Sequence, residues 1–285
     1  MHPRNKHQSR YDLAALTKES LSLKKLLIKT PAGEDSLDFS HPATVKTLNQ
    51  AILKSYYGII WDVSEKFLCP PVPGRSDHIH YVADLLKDLS APARVLDIGV
   101  GANCIYPIIG ICEYGWDFVG ADINPEALAS AQKIIDANPK LMGKVELRLQ
   151  KSQSIFRHMI KPEERFDLTI CNPPFHPSAE AAAKDSARKW KGLGKHSATG
   201  RLNFGGMHAE LWTEGGETGF IQKMIEESAD FASQCQWFTT LVSRKENLPV
   251  LNKTLDKAKV IRRKVLEMSQ GQKISRILCW SYFKE

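Results

Sequence analysis

Residues 94–103 read Arg94-Val95-Leu96-Asp97-Ile98-Gly99-Val100-Gly101-Ala102-Asn103: an apolar strand, a turn with two glycines, and then the start of a helical pattern. Glycine at such a turn lets the backbone pass close to a ligand, because no side chain stands between them. Working outward, the next apolar strand is Trp116-Asp117-Phe118-Val119-Gly120-Ala121-Asp122, which ends in a carboxylate 23 residues after Gly99. In a nucleoside-binding βαβ unit, an acid at that place accepts hydrogen bonds from the ribose hydroxyls. Further on, Val145–Leu149, Phe166–Cys171 and Trp237–Val242 read as strands, with helical patterns after Asn124-Pro125 and over Phe220–Phe231. Strands alternating with helices predict a parallel, doubly wound sheet, which binds ligands at the carboxyl ends of its strands. The last apolar runs, Val260–Met268 and Ile274–Phe283, flank Gly271 and predict an antiparallel hairpin.

The nicotinamide-dinucleotide version of this unit needs G-x-G-x-x-G, and here the third glycine position is Cys104. A pyrophosphate requires close approach to the helix N-terminus. The pattern therefore suits a nucleoside ligand without a diphosphate, such as S-adenosylmethionine. The fourth strand then runs into Asn172-Pro173-Pro174-Phe175. Asn172 brings a side-chain carbonyl, and Pro173 lacks an N–H while keeping a carbonyl free to accept. Two such acceptors can grip both hydrogens of an exocyclic amino group, and Phe175 offers a flat face on which an unstacked base can lie. Taken alone, a Pro-Pro turn after a buried strand is an ordinary structural feature. Its position, on the same strand ends as Gly99 and Asp122, points to chemistry. His176 reads as a candidate proton relay or as a solvent-facing turn histidine.

Together with Pro73-Gly74-Arg75-Ser76-Asp77-His78-Ile79-His80-Tyr81, Cys104-Ile105-Tyr106-Pro107 and Glu214-Gly215-Gly216-Glu217, these motifs resemble one family. It is the bacterial 23S rRNA (adenine(1618)-N6)-methyltransferase family, related to the eukaryotic U6 small-nuclear-RNA adenine methyltransferase. The resemblance runs from about Leu37 to the C-terminus. It implies a Rossmann-like class I methyltransferase: a mostly parallel doubly wound sheet with an antiparallel C-terminal edge hairpin, plus a small N-terminal helical extension. It implies S-adenosylmethionine as cofactor, with no metal. Arg75 resembles the position that pairs the cofactor's carboxylate. Asp97, Gly99, Gly101, Asn103, Asp122, Lys151, Ser152 and Asn172 resemble positions that line its site. Asn172, Pro173, Pro174 and Phe175 would form the catalytic turn. Glu214 reads as an exposed loop acid or as a latch on the segment before it.

The 285 residues, with 42% hydrophobic and 25% charged content, suit one large α/β domain with a small extension. We expect a basic, weakly structured arm over 1–36, with a short amphipathic helix within Leu13–Ile28. A helical extension over 37–93 follows, with helices near Pro42–Tyr56 and Ser76–Leu89. The catalytic domain spans 94–285 and carries a basic, Gly-rich lid at 178–218. No apolar run reaches the roughly 18 residues of a membrane span, and the basic N-terminus lacks an apolar signal core. The six cysteines, Cys69, Cys104, Cys112, Cys171, Cys235 and Cys279, form no C-x-x-C pair, which fits reduced thiols in a cytoplasmic protein.

The net charge of +7 is unevenly spread: residues 1–30 carry +5, 184–201 carry +5 and 253–276 carry +6, so the remainder carries −9. Concentrated positive segments on an acidic body predict a polyanionic partner. We expect 23S rRNA or a large-subunit assembly intermediate, with no DNA and no membrane. Only 67 residues follow Thr218, too few for a DNA target-recognition domain beside the last strands. Rival readings are guanine N2 methylation of rRNA, glutamine N5 methylation of a release factor, and a non-catalytic RNA-binding module.

Overall fold

The computed structural model describes residues 1–175, 213–270 and 273–284. Residues 178–212 of the lid expected at 178–218, His176 and the hairpin turn at Gly271 lie outside them.

The core is a seven-stranded sheet. Its strands are β3 (Arg94–Ile98), β4 (Asp117–Asp122), β5 (Val145–Leu149), β6 (Phe166–Cys171), β7 (Cys235–Val242), β8 (Arg262–Gln270) and β9 (Lys273–Ser281). They lie in the order β5-β4-β3-β6-β7-β9-β8. The first five are parallel, and β9 joins β7 and β8 antiparallel. The doubly wound sheet and its antiparallel edge are as the sequence predicts. After β5 the chain crosses back to lay β6 against the other side of β3. That reversal makes a switch point, where the loops after β3 and β6 diverge and leave a crevice at their carboxyl ends.

Strand period decides the two faces. Val95, Phe118, Leu168 and Ile170 pack into one layer with α3 (Pro42–Ile52), α4 (Val72–Ala83), α5 (Ile105–Tyr114) and α6 (Pro125–Asp136). Leu96, Ile98, Val119, Ala121, Phe238 and Trp280 pack into the other with α7 (Gly216–Ser228) and α8 (Leu248–Lys257). Local chemistry starts α6: Asn124 Oδ1 accepts from the Glu126 and Ala127 amides, and Pro125 occupies the first turn.

Three expectations need correction. First, α4 begins at Val72, not Ser76. Pro73 sits in its first turn, where a missing N–H costs nothing, and Arg75 is consequently a helical residue. Second, α8 was not expected. Its signal is present, with Pro249 in the first turn and Leu248, Leu251 and Leu255 on one helical face, but the basic residues around it obscured the pattern.

Third, residues 1–36 are not weakly structured. Helices α1 (Leu13–Glu19) and α2 (Leu21–Lys24) and the hairpin β1 (Leu27–Lys29)–β2 (Asp35–Leu37) replace the single helix expected, and Leu16 and Leu23 enter the core. The decapeptide before them docks on α4. The His2 amide and Asn5 Nδ2 both donate to Asp77 Oδ1, at 2.6 and 3.0 Å. His7 Nε2 lies 2.8 Å from the Tyr57 hydroxyl. Arg4 pairs with Asp84 and Lys6 with Glu113, so these cations are engaged by the protein itself. The contacts span more than 40 residues and are polar, so no local apolar period announces them.

This docking makes stability pH-dependent. Burial, reinforced by the charge of Lys6 and then His80, lowers the His7 pKa to about 4, and burial beside Arg75 holds His78 well below its ordinary value. Both regain the ordinary value of 6.5 on unfolding. From 6.5 downward the unfolded chain therefore binds more protons, and stability present at pH 7 is lost as the pH falls. The expected loss between pH 7 and 5 is roughly 1–2 kcal/mol for His7, and His78 adds to it in the same direction. Urea unfolding across that range checks it, and a midpoint independent of pH would refute it.

Candidate active site

The glycine turn after β3 is shaped by two left-handed residues, Gly99 at φ +77° and Gly101 at φ +64°. The Gly99 and Val100 amides bond back to the Ala121 carbonyl, so the turn is folded against the end of β4. Among the described residues, its two chain neighbours apart, no atom lies within 4 Å of where a Gly99 Cβ would stand. The backbone there borders open space, as close approach to a ligand requires.

Asp122 closes the same turn from the β4 side. Its Oδ2 accepts the Gly101 amide and its Oδ1 the Asn124 amide, both at 2.9 Å. Burial raises its pKa, opposed by the hydrogen bonds from Asn124 and Gly101. Asn103 Oδ1 accepts the Ile105 amide at 3.1 Å and its carbonyl accepts Trp61 Nε1 at 2.9 Å. This ties the 61–71 segment over the start of α5.

A cavity of about 1040 Å³ opens at these strand ends, at the upper end of the range for small-molecule sites. Among the expected residues, Arg75, Gly99, Gly101, Asn103, Asp122, Lys151, Ser152, Asn172 and Pro174 line it. Asp122 and Asn172, on either side of the switch point, thus face one hollow.

Three expected residues are not in its wall. Pro173 is buried behind Asn172 and Pro174. Phe175 is 37% exposed, beyond the rim. Asp97 is only 1% exposed and lies beneath. Strand period explains Asp97: it shares the face of Val95, towards α4 and α5, not the open strand end. Burial pushes its carboxyl well up, Asp122 adds to the shift and Arg75 opposes it. Neither Asp97 oxygen has a partner among the described residues, and neither does Asn172 Oδ1. Buried acceptors without donors are expensive. At both side chains, acceptor capacity is left open by the described residues.

Other wall residues were not anticipated: Tyr106, Gln150, Thr213, Phe220 and Lys223. Gln150 shapes the loop after β5, its Oε1 accepting both the amide and the hydroxyl of Ser152. Glu214 lines the cavity, and Glu217, three residues on, ties α7 to the segment after β7. Buried in the first turn of α7, Glu217 accepts the Ser243 amide at 2.7 Å and Asn247 Nδ2 at 2.6 Å. Two carboxylates three residues apart cannot be told apart without knowing which faces inward. Among the described residues, no cluster of His, Cys, Asp and Glu is placed to hold a metal ion. No helix is long and apolar enough to cross a membrane.

The chain is similar to known proteins. A family model described as RNA methyltransferase matches residues 1–284. "Ribosomal RNA large subunit methyltransferase F" of Shigella dysenteriae serotype 1 is 53% identical over 291 aligned positions, covering 100% of this chain and 94% of that protein. The protein of the same name from Cronobacter sakazakii is 54% identical over 289, covering 99% and 93%. Among solved structures, the human Mettl16 catalytic domain in complex with MAT2A 3′UTR hairpin 1 superposes with a TM-score of 0.86 at 27% identity, over 100% of this chain and 96% of that one. The N-terminal domain of human METTL16 in complex with SAH gives 0.81 at 26%, over 100% and 99%.

Proposed function

The chain belongs to the RNA methyltransferase family whose model spans it, and from that premise we propose that it methylates N6 of one adenosine in 23S rRNA. The position is 1618 by resemblance, and the substrate is the rRNA or a large-subunit assembly intermediate in the cytoplasm. It is an S-adenosylmethionine-dependent enzyme with the Rossmann-like fold of its relatives. The observation that carries the finer reading is the cavity shared by Asp122 and Asn172, whose Oδ1 has no partner among the described residues.

The residues present fit the cofactor. Gly99 leaves room for close approach. Asp122 holds the ribose hydroxyls as a buried acceptor, with Lys151 and Ser152 bordering the adenine side of the wall. Arg75 pairs the carboxylate of the amino-acid tail, Asn103 borders the same site, and Asp97 lies beneath the wall with no hydrogen-bond partner among the described residues. When bound, S-adenosylmethionine supplies an electrophilic methyl group.

The nucleophile is a poor one, because the N6 lone pair is delocalised into the adenine ring. Asn172 Oδ1 and the Pro173 carbonyl accept its two N–H groups, holding the nitrogen in place and favouring a pyramidal geometry that frees the lone pair. Positioning is then the main catalytic contribution. Pro174 walls the clamp. Phe175, exposed at the rim, stacks on the unstacked base, worth roughly 1–3 kcal/mol. The methylated ammonium is acidic and loses its proton to water, so no dedicated base is required. Basic segments supply phosphate contacts.

Incubation with labelled S-adenosylmethionine and total RNA from a strain lacking the gene, followed by digestion and mass spectrometry, tests this. Label is expected in N6-methyladenosine of 23S rRNA. Label in N2-methylguanosine would overturn the base assigned. Label in a release-factor glutamine would overturn the RNA substrate.

A further inference from the structure

Behind Arg75 lies a buried polar chain that the reaction itself does not use. Arg75 Nη1 donates to the Tyr106 hydroxyl at 2.9 Å, with the guanidinium carbon 5.5 Å from the ring centroid. The same hydroxyl lies 2.8 Å from His78 Nδ1, and the two rings meet edge to face. Both Tyr106 and His78 are buried, while Arg75 and Tyr106 reach the cavity wall.

Proton counting orients this chain. A guanidinium only donates, and a phenol has one proton. With its oxygen accepting from Arg75, Tyr106 has its own proton left to give, and His78 Nδ1 takes it. His78 is then neutral, with its proton on Nε2, and burial keeps it so. An acceptor on α4 thus polarises a hydroxyl on α5, which in turn grips a cation one turn away on α4. Arg75 alone is a long side chain with several rotamers.

We propose that Tyr106 and His78 are positioning residues that fix the Arg75 guanidinium for the carboxylate of the methyl donor's amino-acid tail. The proposal rests on the role given to Arg75 above. Neither residue need touch the cofactor's carboxylate: Tyr106 acts through Arg75, and His78 through Tyr106. Holding the fork in advance removes the rotamer entropy otherwise lost on binding.

A second His–Tyr pair in the same helix pair provides an internal control. His80 Nδ1 lies 2.6 Å from the Tyr114 hydroxyl, but Tyr114 does not line the cavity. If such bonds merely held α4 to α5, losing either hydroxyl would act alike.

The test compares two ligands by calorimetry: S-adenosylhomocysteine, and 5′-methylthioadenosine, which lacks the amino-acid tail. Tyr106→Phe is expected to weaken S-adenosylhomocysteine about tenfold, the effect of losing one hydrogen bond to a charged group. It leaves 5′-methylthioadenosine within about twofold, as for changes remote from a ligand. Arg75→Gln shows the same selectivity with a larger loss, and adding Tyr106→Phe to it causes no further loss. Tyr114→Phe changes neither ligand. His78→Leu, which removes the acceptor at similar volume, gives the selective loss by a second route should Tyr106→Phe fold poorly. Equal loss for both ligands, no loss, or full additivity with Arg75→Gln would overturn the proposal. If Arg75→Gln leaves the preference between the ligands unchanged, the fault lies in the carboxylate role of Arg75. If the wild-type protein binds neither ligand, the cofactor reading itself fails.

Discussion

Asn172→Ala lowers single-turnover methyl transfer by about a hundredfold to a thousandfold, the cost of removing one preorganised hydrogen-bonding group at a reacting centre. Cofactor affinity stays close to that of the wild type. β6 pairs with β3 on one side and β7 on the other, so the position of residue 172 is set by the sheet and not by its own side chain. Truncation therefore removes the carbonyl without moving the turn. That carbonyl has no partner among the described residues, so its loss leaves no donor stranded in the protein. The loss falls on the amine, which keeps one acceptor of two and is no longer aimed. Calorimetry with S-adenosylhomocysteine separates the two effects. A variant that retains most of its methyl transfer, or loses it only in proportion to cofactor affinity, would remove Asn172 from the amine clamp.

Asp122→Ala weakens S-adenosylhomocysteine binding by about a hundredfold or more, on the scale of two hydrogen bonds to a charged acceptor. Two losses combine. The ribose hydroxyls lose their acceptor, and the Gly101 and Asn124 amides, each 2.9 Å from the carboxylate, lose theirs, so the glycine turn relaxes. The pH dependence has a definite sign. Burial raises the Asp122 pKa, so the free protein takes up a proton there at a pH above the usual carboxylate range. The ionised form holds the ribose, and affinity falls as the pH falls through that value. Asp122→Asn, which cannot ionise, removes this slope. Unchanged affinity in Asp122→Ala would place the ribose elsewhere.

The site was legible where a local backbone requirement leaves a mark in the sequence. Gly99 and Gly101 are needed because the turn after β3 takes positive φ twice. Asp122 and Asn172 stand at strand ends, where a doubly wound sheet gathers its ligands. Arg75 was readable only by resemblance, because its turn of helix carries no pattern of its own. The part played by Glu217 was not readable, since it depends on the Ser243 amide that the fold brings to it. Tyr106 and His78 are close to Arg75 in sequence or motif, yet their hydrogen-bonded chain exists only when α4 and α5 pack together. The docking of His2 and Asn5 on Asp77 was likewise hidden. Residues 1–10 are polar and basic, the composition of a solvated tail, and what buries them is a carboxylate some 70 residues away.

Local composition and periodicity by themselves determined the alternation of strands and helices, the glycine turn, the acid at the end of β4 and the Asn-Pro-Pro-Phe turn after β6. These are short-range requirements of backbone geometry and of solvent exclusion on one face, and each is met within a few residues. Tertiary structure alone decided the strand order β5-β4-β3-β6-β7-β9-β8, the seating of the N-terminal decapeptide and the burial of Asp97 without a hydrogen-bond partner among the described residues. A buried polar group is satisfied or stranded by whatever partner the fold brings to it, and that partner can come from anywhere along the chain.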